Sequence, residues 1–285
     1  LPGSYPATDK VYSFLNSNAS ANLGNFEQGT RGWTDIFHEV GHALGLKHTG
    51  NYDASGGSSD GPYLPAITDN QQYTVMSYKD NANSFGVNAS SYMLYDLAAL
   101  QYLYGVNTSG STADGNSDGS GRRFTFSSSD KVLRTLYSAT GQDTIDLGGL
   151  AKDSVINLNA GTYSSIGILS SENRSNEQYS GNQNVAIAYG SKINKVILSA
   201  NDSKDTVKLN AAFKEGSFDQ IENFQNIDTI SLSKSIFGTL AAKNIEIGSS
   251  DVARSKDSRI LVNQVTGDIF YDADGTGTKS KAVKI

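Results

Sequence analysis

The segment HEVGHALGLKH, which starts at His38, contains all three histidines of the chain. His38 and His42 are four residues apart, so on an α-helix their imidazoles lie on the same face. Gly45 can adopt the left-handed conformation that ends a helix, which allows His48 to turn back toward the other two. Three imidazoles with one open coordination position are typical of a catalytic zinc site. Glu39 is placed to accept a proton from water that zinc activates.

The alternative to a zinc site is a solvated histidine cluster on an ordinary helix. A bare H-E-x-x-H pattern occurs by chance, but the longer H-E-x-x-H-x-x-G-x-x-H pattern is far more specific. Zinc enzymes that use a downstream glutamate as third ligand are excluded, because the next glutamate after Glu39 is Glu172. His48 is therefore the predicted third ligand.

Two helices and a run of strands must position these residues. Hydrophobic spacing predicts helices over about Trp33–Leu44 and Ser91–Tyr104, the second ending at Gly105. Residues 106–120 are polar and glycine-rich, which indicates a domain boundary. Beyond them, short alternating segments bounded by Gly, Asn, Asp or Ser predict antiparallel strands in a sandwich or roll. The segment VTGDIFYD predicts a hairpin that turns at Thr266–Gly267.

The predicted fold therefore has two domains. Residues 1–105 form an α+β catalytic domain with the zinc helix and a partial sheet. Residues 106–285 form an all-β sandwich or roll domain.

Composition excludes several classes of function. The net charge is −6 and the basic residues are scattered, so no nucleic-acid-binding face is expected. Cysteine is absent, which excludes disulfides, thiol catalysis and cysteine-based zinc sites. No apolar run approaches the roughly 20 residues of a membrane span.

The histidine segment and the residues after it resemble a known family. HEVGHALGLKH fits the metzincin signature, and YTVMSY supplies the Met-turn that should follow it. Together with YDLAALQYLYGVN, these motifs make the chain similar to serralysins, which are secreted bacterial zinc endopeptidases. The resemblance is thinner in GQDTIDLGGL and in GDIFYDADGTG.

The resemblance implies roles for further residues. Met76 would form a hydrophobic floor under the zinc. Tyr78 would bind zinc at rest, then swing away and hydrogen-bond the oxyanion during turnover; a structural tyrosine is the alternative. The segment of Val11, Tyr12, Ser13, Phe14 and Leu15 resembles the edge strand that pairs with an extended peptide substrate, although an ordinary edge strand has the same pattern.

The sequence departs from serralysins upstream of the zinc helix. Only 37 residues precede His38, so the first helix and several strands of the family have no counterpart. We expect a missing N-terminal fragment, a second chain that supplies it, or a shortened catalytic domain. Other expected partners are protein and peptide substrates and, by resemblance, a small protein inhibitor.

Calcium is the second departure, because no intact G-G-x-G-x-D repeat is present. Asp114, Asn116 and Asp118 begin a calcium-loop pattern. The resemblance implies a calcium where this loop meets the next strands, and Asp143 could reach that ion. Thr125 stands where an EF-hand has its glutamate, so a different calcium site or a plain polar loop is expected.

The sequence thus predicts a secreted, extracellular zinc endopeptidase with Glu39 as general base. The alternative is a catalytically silent binding or adhesion module with a metalloprotease fold. The intact Glu39 favours the enzyme, because a silent module has no physical need for that carboxylate.

Overall fold

The computed structural model describes residues 26–53, 56, 60–81, 86–108, 116–117, 121–139, 143–169, 179–210 and 218–285. Both predicted helices are confirmed, as α1 (Arg31–Ala43) and α2 (Leu94–Tyr104). The described residues before position 109 contain these helices and turns but no strand, so the predicted partial sheet does not appear among them. None of the helices in the described part of the chain could cross a membrane.

Each helix begins and ends where its sequence provides a suitable residue. The hydroxyl of Thr30 accepts a hydrogen bond from the backbone N–H of Trp33 at the start of α1. Gly45 has a φ of 93°, so the chain turns just beyond α1. Gly105, with a φ of 85°, ends α2 as predicted.

The second part of the described chain is built from short strands. In chain order they are β1 (Asn116–Ser117), β2 (Arg122–Ser127), β3 (Arg134–Leu136), β4 (Asp143–Gly149), β5 (Val155–Asn157), β6 (Tyr163–Ser164), β7 (Val185–Ile187), β8 (Ile193–Ile197), β9 (Thr206–Leu209), β10 (Gln220–Glu222), β11 (Thr229–Leu232), β12 (Ile245–Gly248), β13 (Ile260–Asn263), β14 (Ile269–Tyr271) and β15 (Val283–Lys284). A one-turn helix, α3 (Lys234–Phe237), separates β11 from β12.

The strands form four sheets in a roll. The sheet orders are β1-β2-β4-β8-β10, β11-β9-β5, β3-β7-β6 and β12-β13-β14-β15. Most of these pairs are parallel, including β2 with β4, β4 with β8 and β5 with β9. The prediction of antiparallel strands was therefore wrong, because alternation identifies the buried face of a strand but not the direction of its neighbour. The hairpin at Thr266–Gly267 is confirmed, since β13 and β14 pair antiparallel around it.

Two hydrophobic cores support this arrangement. The larger one fills the β roll, with Phe124, Ile145 and Val196 fully buried. The smaller one lies beneath α1 and α2, and its members are Leu46, Val75, Met76, Ala89, Met93 and Leu133. Leu133 comes from the β-rich part of the chain, so the smaller core joins the two parts.

Candidate metal centre

Helix α1 and the turn after it bring the three histidines together. The Nε2 atoms of His38 and His42 are 3.2 Å apart, those of His38 and His48 are 3.1 Å apart, and those of His42 and His48 are 3.0 Å apart. Tetrahedral zinc with Zn–N bonds of about 2.05 Å requires ligand nitrogens about 3.3 Å apart. Among the described residues, these three are the only group of His, Asp or Glu side chains close enough to share one cation.

Backbone carbonyls orient the rings so that Nε2 faces inward. The Nδ1–H of His38 donates to the carbonyl oxygen of Val75 at 2.8 Å, and that of His42 donates to Leu46 at 3.0 Å. A carbonyl oxygen only accepts hydrogen bonds, so Nδ1 carries the proton in both rings and Nε2 keeps its lone pair. His48 is held by a hydrogen bond to the backbone of Tyr52.

The surroundings of His38 and His48 favour their uncharged forms. Burial lowers the pKa of His38 to about 4; the hydrogen bond to Val75 opposes this change, and His42 and His48 reinforce it. Burial and His42 also lower the pKa of His48, while the negative charge of Glu39 opposes that change. Neutral imidazoles are the form that binds metal, so these rings need not lose protons near neutral pH.

Met76 packs directly under α1. Its side chain is 1% exposed, and its Sδ lies 2.6 Å from the position that a Cβ on Gly41 would occupy. Glycine at position 41 therefore lets the Met-turn reach the helix backbone. The structure places Met76 in the smaller core as predicted, and its role under a metal stays a prediction.

Tyr78 and Glu39 lie at the edge of the histidine group. The Tyr78 ring centroid is 4.6 Å from that of His48 and 5.6 Å from that of His38. Its side chain is 38% exposed, so it is also open to a ligand in solution. Glu39 is half-buried on α1. The structure thus brings Tyr78 to the histidines, and the negative charge of Glu39 acts on His48.

A cavity of about 430 Å³ opens beside His48. Most of its lining side chains are apolar, and they include Leu46, Tyr63, Met76, Ala99 and Leu103. Its position next to a predicted zinc ligand makes it suitable for a hydrophobic side chain of a bound peptide.

Most of the remaining predicted site residues lie outside the part of the chain that the structure describes. The proposed edge strand, Val11 to Leu15, lies outside the described residues, as do Asp114 and Asp118. Asn116 begins β1, but its side chain lies outside the description. Asp143 is fully buried at the start of β4, where its Oδ1 accepts a hydrogen bond from the Arg122 backbone at 2.5 Å.

Asp143 keeps one feature that suits a cation. Its Oδ2 is buried and has no hydrogen-bond partner among the described residues, and burial raises the pKa of the carboxyl group. One such oxygen is compatible with a calcium ligand, but calcium needs six to eight. The calcium site stays a prediction.

The first histidine is supported by a residue that its sequence pattern did not single out. Asp96, at the start of α2, accepts hydrogen bonds from the hydroxyl of Thr74 at 2.6 Å and from the backbone N–H groups of Val75 at 2.8 Å and Met93 at 2.9 Å. The carbonyl of Val75 in turn holds His38. An acidic residue near a predicted helix start was the available signal, but it predicts only a helix cap.

Known proteins resemble the chain in sequence. The family described as peptidase M10 serralysin C terminal matches residues 106–264, more than half of the chain. Serralysin of Proteus mirabilis is 36% identical over 201 residues, which cover 67% of this chain and 38% of the relative. Serralysin C of Dickeya chrysanthemi is 34% identical over 207 residues, covering 69% and 40% respectively.

A third relative is named as a metalloprotease. Metalloprotease AprA of Pseudomonas entomophila is 34% identical over 182 residues, covering 59% of this chain and 37% of the relative. The chain thus spans about two fifths of the length of these proteins. Because the serralysin C-terminal family matches more than half of its sequence, this chain belongs to the serralysin family of metalloproteases.

Proposed function

We propose that the chain is a secreted zinc endopeptidase that hydrolyses peptide bonds in proteins. The observation that carries the proposal is the set of three Nε2 atoms 3.0–3.2 Å apart, two of them held in the metal-binding tautomer by backbone carbonyls. His38, His42 and His48 would hold the zinc, with Tyr78 beside them. Bound zinc would polarise the substrate carbonyl and make hydroxide available near neutral pH.

The other steps belong to side chains of this chain. Glu39 lies next to His38 in the sequence and close enough to His48 to affect its pKa, so it would take the proton from the attacking water. It would then deliver that proton to the leaving amine. The phenol of Tyr78 would donate a hydrogen bond to the substrate oxygen that gains negative charge.

The cavity beside His48 supports a preference for apolar side chains close to the cleaved bond. Lys47 and Asp96 also line the cavity, but most of its lining is apolar, which favours cleavage of many proteins rather than one. Pairing of the peptide with Val11–Leu15, binding of a small protein inhibitor and a separately supplied N-terminal part stay predictions. Secretion is supported by family membership, and detection of the chain in the culture medium of its source would test it.

Metal analysis and hydrolysis of casein test the proposal. We expect one zinc per chain, loss of hydrolysis on treatment with a zinc chelator, and recovery when zinc is restored. Glu39→Gln should keep the zinc but lower kcat by about 10²- to 10⁴-fold, because the general base is lost. Glu222→Gln, on β10 in the roll, is the matched control and should be fully active.

Three outcomes would count against the proposal. Hydrolysis that survives removal of zinc, or an unaffected Glu39→Gln variant, would exclude the mechanism. A chain that binds zinc tightly but hydrolyses nothing would favour the silent binding module instead.

A further inference from the structure

A buried carboxylate lies beside the metal centre, in the segment between the third histidine and the Met-turn. Asp69 is 2% exposed. Its Oδ1 accepts hydrogen bonds from the hydroxyls of Thr49 at 2.7 Å, Tyr52 at 2.6 Å and Ser77 at 3.0 Å. Its Oδ2 accepts from the ammonium group of Lys79 at 2.7 Å. We call these five residues the Asp69 hub.

The hub contains residues that are next to two of the predicted zinc ligands, His48 and Tyr78, in the sequence. Thr49 directly follows His48 in the sequence, while Ser77 and Lys79 flank Tyr78. A single carboxylate therefore fixes the backbone next to one histidine and on either side of the tyrosine.

The hub also supplies an aromatic ring that packs against the Tyr78 ring. The ring of Tyr52 stacks on it, with centroids 4.7 Å apart and planes 25° apart. The His48 ring centroid lies 4.6 Å from that of Tyr78 and 5.8 Å from that of Tyr52, so the three rings pack against one another. Because the hydroxyl of Tyr52 donates a hydrogen bond to Asp69, the position of the Tyr52 ring depends on the carboxylate.

Charge and space both indicate that the hub is built for a fixed geometry. Burial raises the pKa of Asp69, but the hydrogen bonds from Lys79, Tyr52, Thr49 and Ser77 outweigh it and lower the pKa to about 2. Asp69 is therefore ionised at neutral pH. A side chain at Gly50 would collide with the Tyr52 ring and reach 2.7 Å from Asp69 Oδ2, so only glycine allows this packing.

We propose that Asp69, acting through Tyr52, Ser77 and Lys79, is a positioning residue for Tyr78. The hub holds the phenol against the Tyr52 ring and beside the histidines, at the place from which it would bind the metal at rest and reach the substrate oxygen during hydrolysis. This inference rests on the proposed function. A hub that only stabilised the loop would leave the metal–phenol contact unchanged once the protein was folded.

The test uses the full chain loaded with Cu²⁺ in place of zinc. A phenolate bound to Cu²⁺ gives a charge-transfer band in the visible spectrum, and imidazoles alone do not. We expect the native chain to show this band and Tyr78→Phe to lose it. Asp69→Asn and Tyr52→Phe should still bind one copper per chain, but with the band weakened or shifted.

Kinetics of the zinc-loaded chain provide the second measurement. Asp69→Asn and Tyr52→Phe should lower kcat by about 10- to 100-fold, the usual cost of losing support for a metal site, with little change in KM. Asp228→Asn is the matched control. Like Asp69, Asp228 accepts several hydrogen bonds, here from the backbone N–H groups of Asp205 and Gln225 in the β roll. The charge-transfer band and the kcat of this variant should therefore equal those of the native chain.

The outcomes separate the hub from the proposed function. A band that Tyr78→Phe removes but that Asp69→Asn and Tyr52→Phe leave unchanged, with native kcat, would overturn the role of the hub alone. A native chain that binds copper without any such band would overturn the zinc-ligand role of Tyr78 and the hub with it. If Asp69→Asn does not fold, Tyr52→Phe decides, since it removes one hydroxyl and keeps the stacked ring.

Discussion

Asp96 connects the second helix to the first histidine through a single peptide unit. Its carboxylate accepts the N–H of Val75, and the carbonyl of Val75 accepts the Nδ1–H of His38. The Val75 peptide is thus held at both ends, and its position fixes which ring nitrogen of His38 faces inward. Hydrogen bonds that orient a metal ligand in this way usually account for 10- to 100-fold in metal affinity.

The charge of Asp96 should make stability depend on pH. Burial raises the pKa of this carboxyl group from 3.8 to about 6, although the hydrogen bonds from Thr74, Val75 and Met93 oppose the change. The folded state therefore binds the proton more tightly than the unfolded state. The stability that this proton provides is complete below pH 4 and is lost as pH rises to about 6.

Comparison with Asp96→Asn measures this effect separately from the histidines. The difference in unfolding free energy between the native chain and the variant should fall by about 3 kcal/mol between pH 4 and pH 7, since two pKa units correspond to that amount. Urea unfolding of the metal-free chains at several pH values would measure it. A difference that stays constant or grows over this range would show that the carboxyl group is ionised throughout.

At the residue scale, the histidines could be predicted and their support could not. Positions 38, 42 and 48 are linked by local geometry, a helical turn and one glycine, which the sequence displays directly. Asp69 and Asp96 act through partners up to 22 residues away, across the chain's tertiary contacts. In the sequence each resembles an ordinary turn or cap residue, so composition and spacing did not distinguish them.

At the scale of elements, the strands were found but their pairing was not. Three strands begin with the same pattern, Asp-Thr followed by Ile or Val, at Asp143, Asp205 and Asp228. Asp143 accepts the backbone N–H of Arg122, and Asp228 accepts that of Asp205. Asp143 and Asp228 therefore each bind the chain where a neighbouring strand begins, whereas Asp205 accepts the N–H of Ser199, which follows β8. This repeated start was the signal for parallel strands, because parallel neighbours begin at the same edge of a sheet.

The turn after α1 provides a prediction at this scale. Gly45 has a φ of 93°, and a residue with a Cβ costs about 1–2 kcal/mol in that conformation. In Gly45→Ala the chain should relieve this strain by moving His48 away from the other two histidines. Zinc affinity should then fall about tenfold, the equivalent of 1.4 kcal/mol. Zinc titration by calorimetry would measure the change.

The control for this variant is Gly238→Ala. Gly238 ends α3 with a φ of 71° and has open space around it, so alanine meets the same backbone strain far from the histidines. This variant should lose similar stability and bind zinc like the native chain. Equal zinc affinity in both variants would mean that the left-handed turn is not what brings His48 into the site.

At the scale of the whole molecule, the β roll and the metal centre share structure. The backbone N–H of Ser90 donates to the carbonyl of Leu133 at 2.9 Å, and the hydroxyl of Tyr163 donates to the carbonyl of Gln72 at 3.0 Å. The side chain of Leu133 is fully buried in the same core as Met76. The boundary predicted near residue 106 thus lies within a chain whose two parts are packed together, and independent folding of either part stays a prediction.

This junction should make the metal centre sensitive to the roll. Leu133→Ala removes a fully buried side chain and should cost about 2–5 kcal/mol. Because Leu133 belongs to the same core as Met76, the Met-turn should gain freedom and zinc binding should weaken. Leu198→Ala is the matched control: the same substitution at an equally buried residue, but within the larger core.

The two variants are best compared by the stabilisation that zinc provides. A ligand raises stability in proportion to the logarithm of its concentration divided by Kd, so a weaker site gives a smaller rise in Tm on zinc addition. Both variants should unfold at lower temperature than the native chain without metal, but only Leu133→Ala should show a reduced rise with zinc. An equal rise in both would mean that the roll supports the fold of the catalytic part without shaping its metal site.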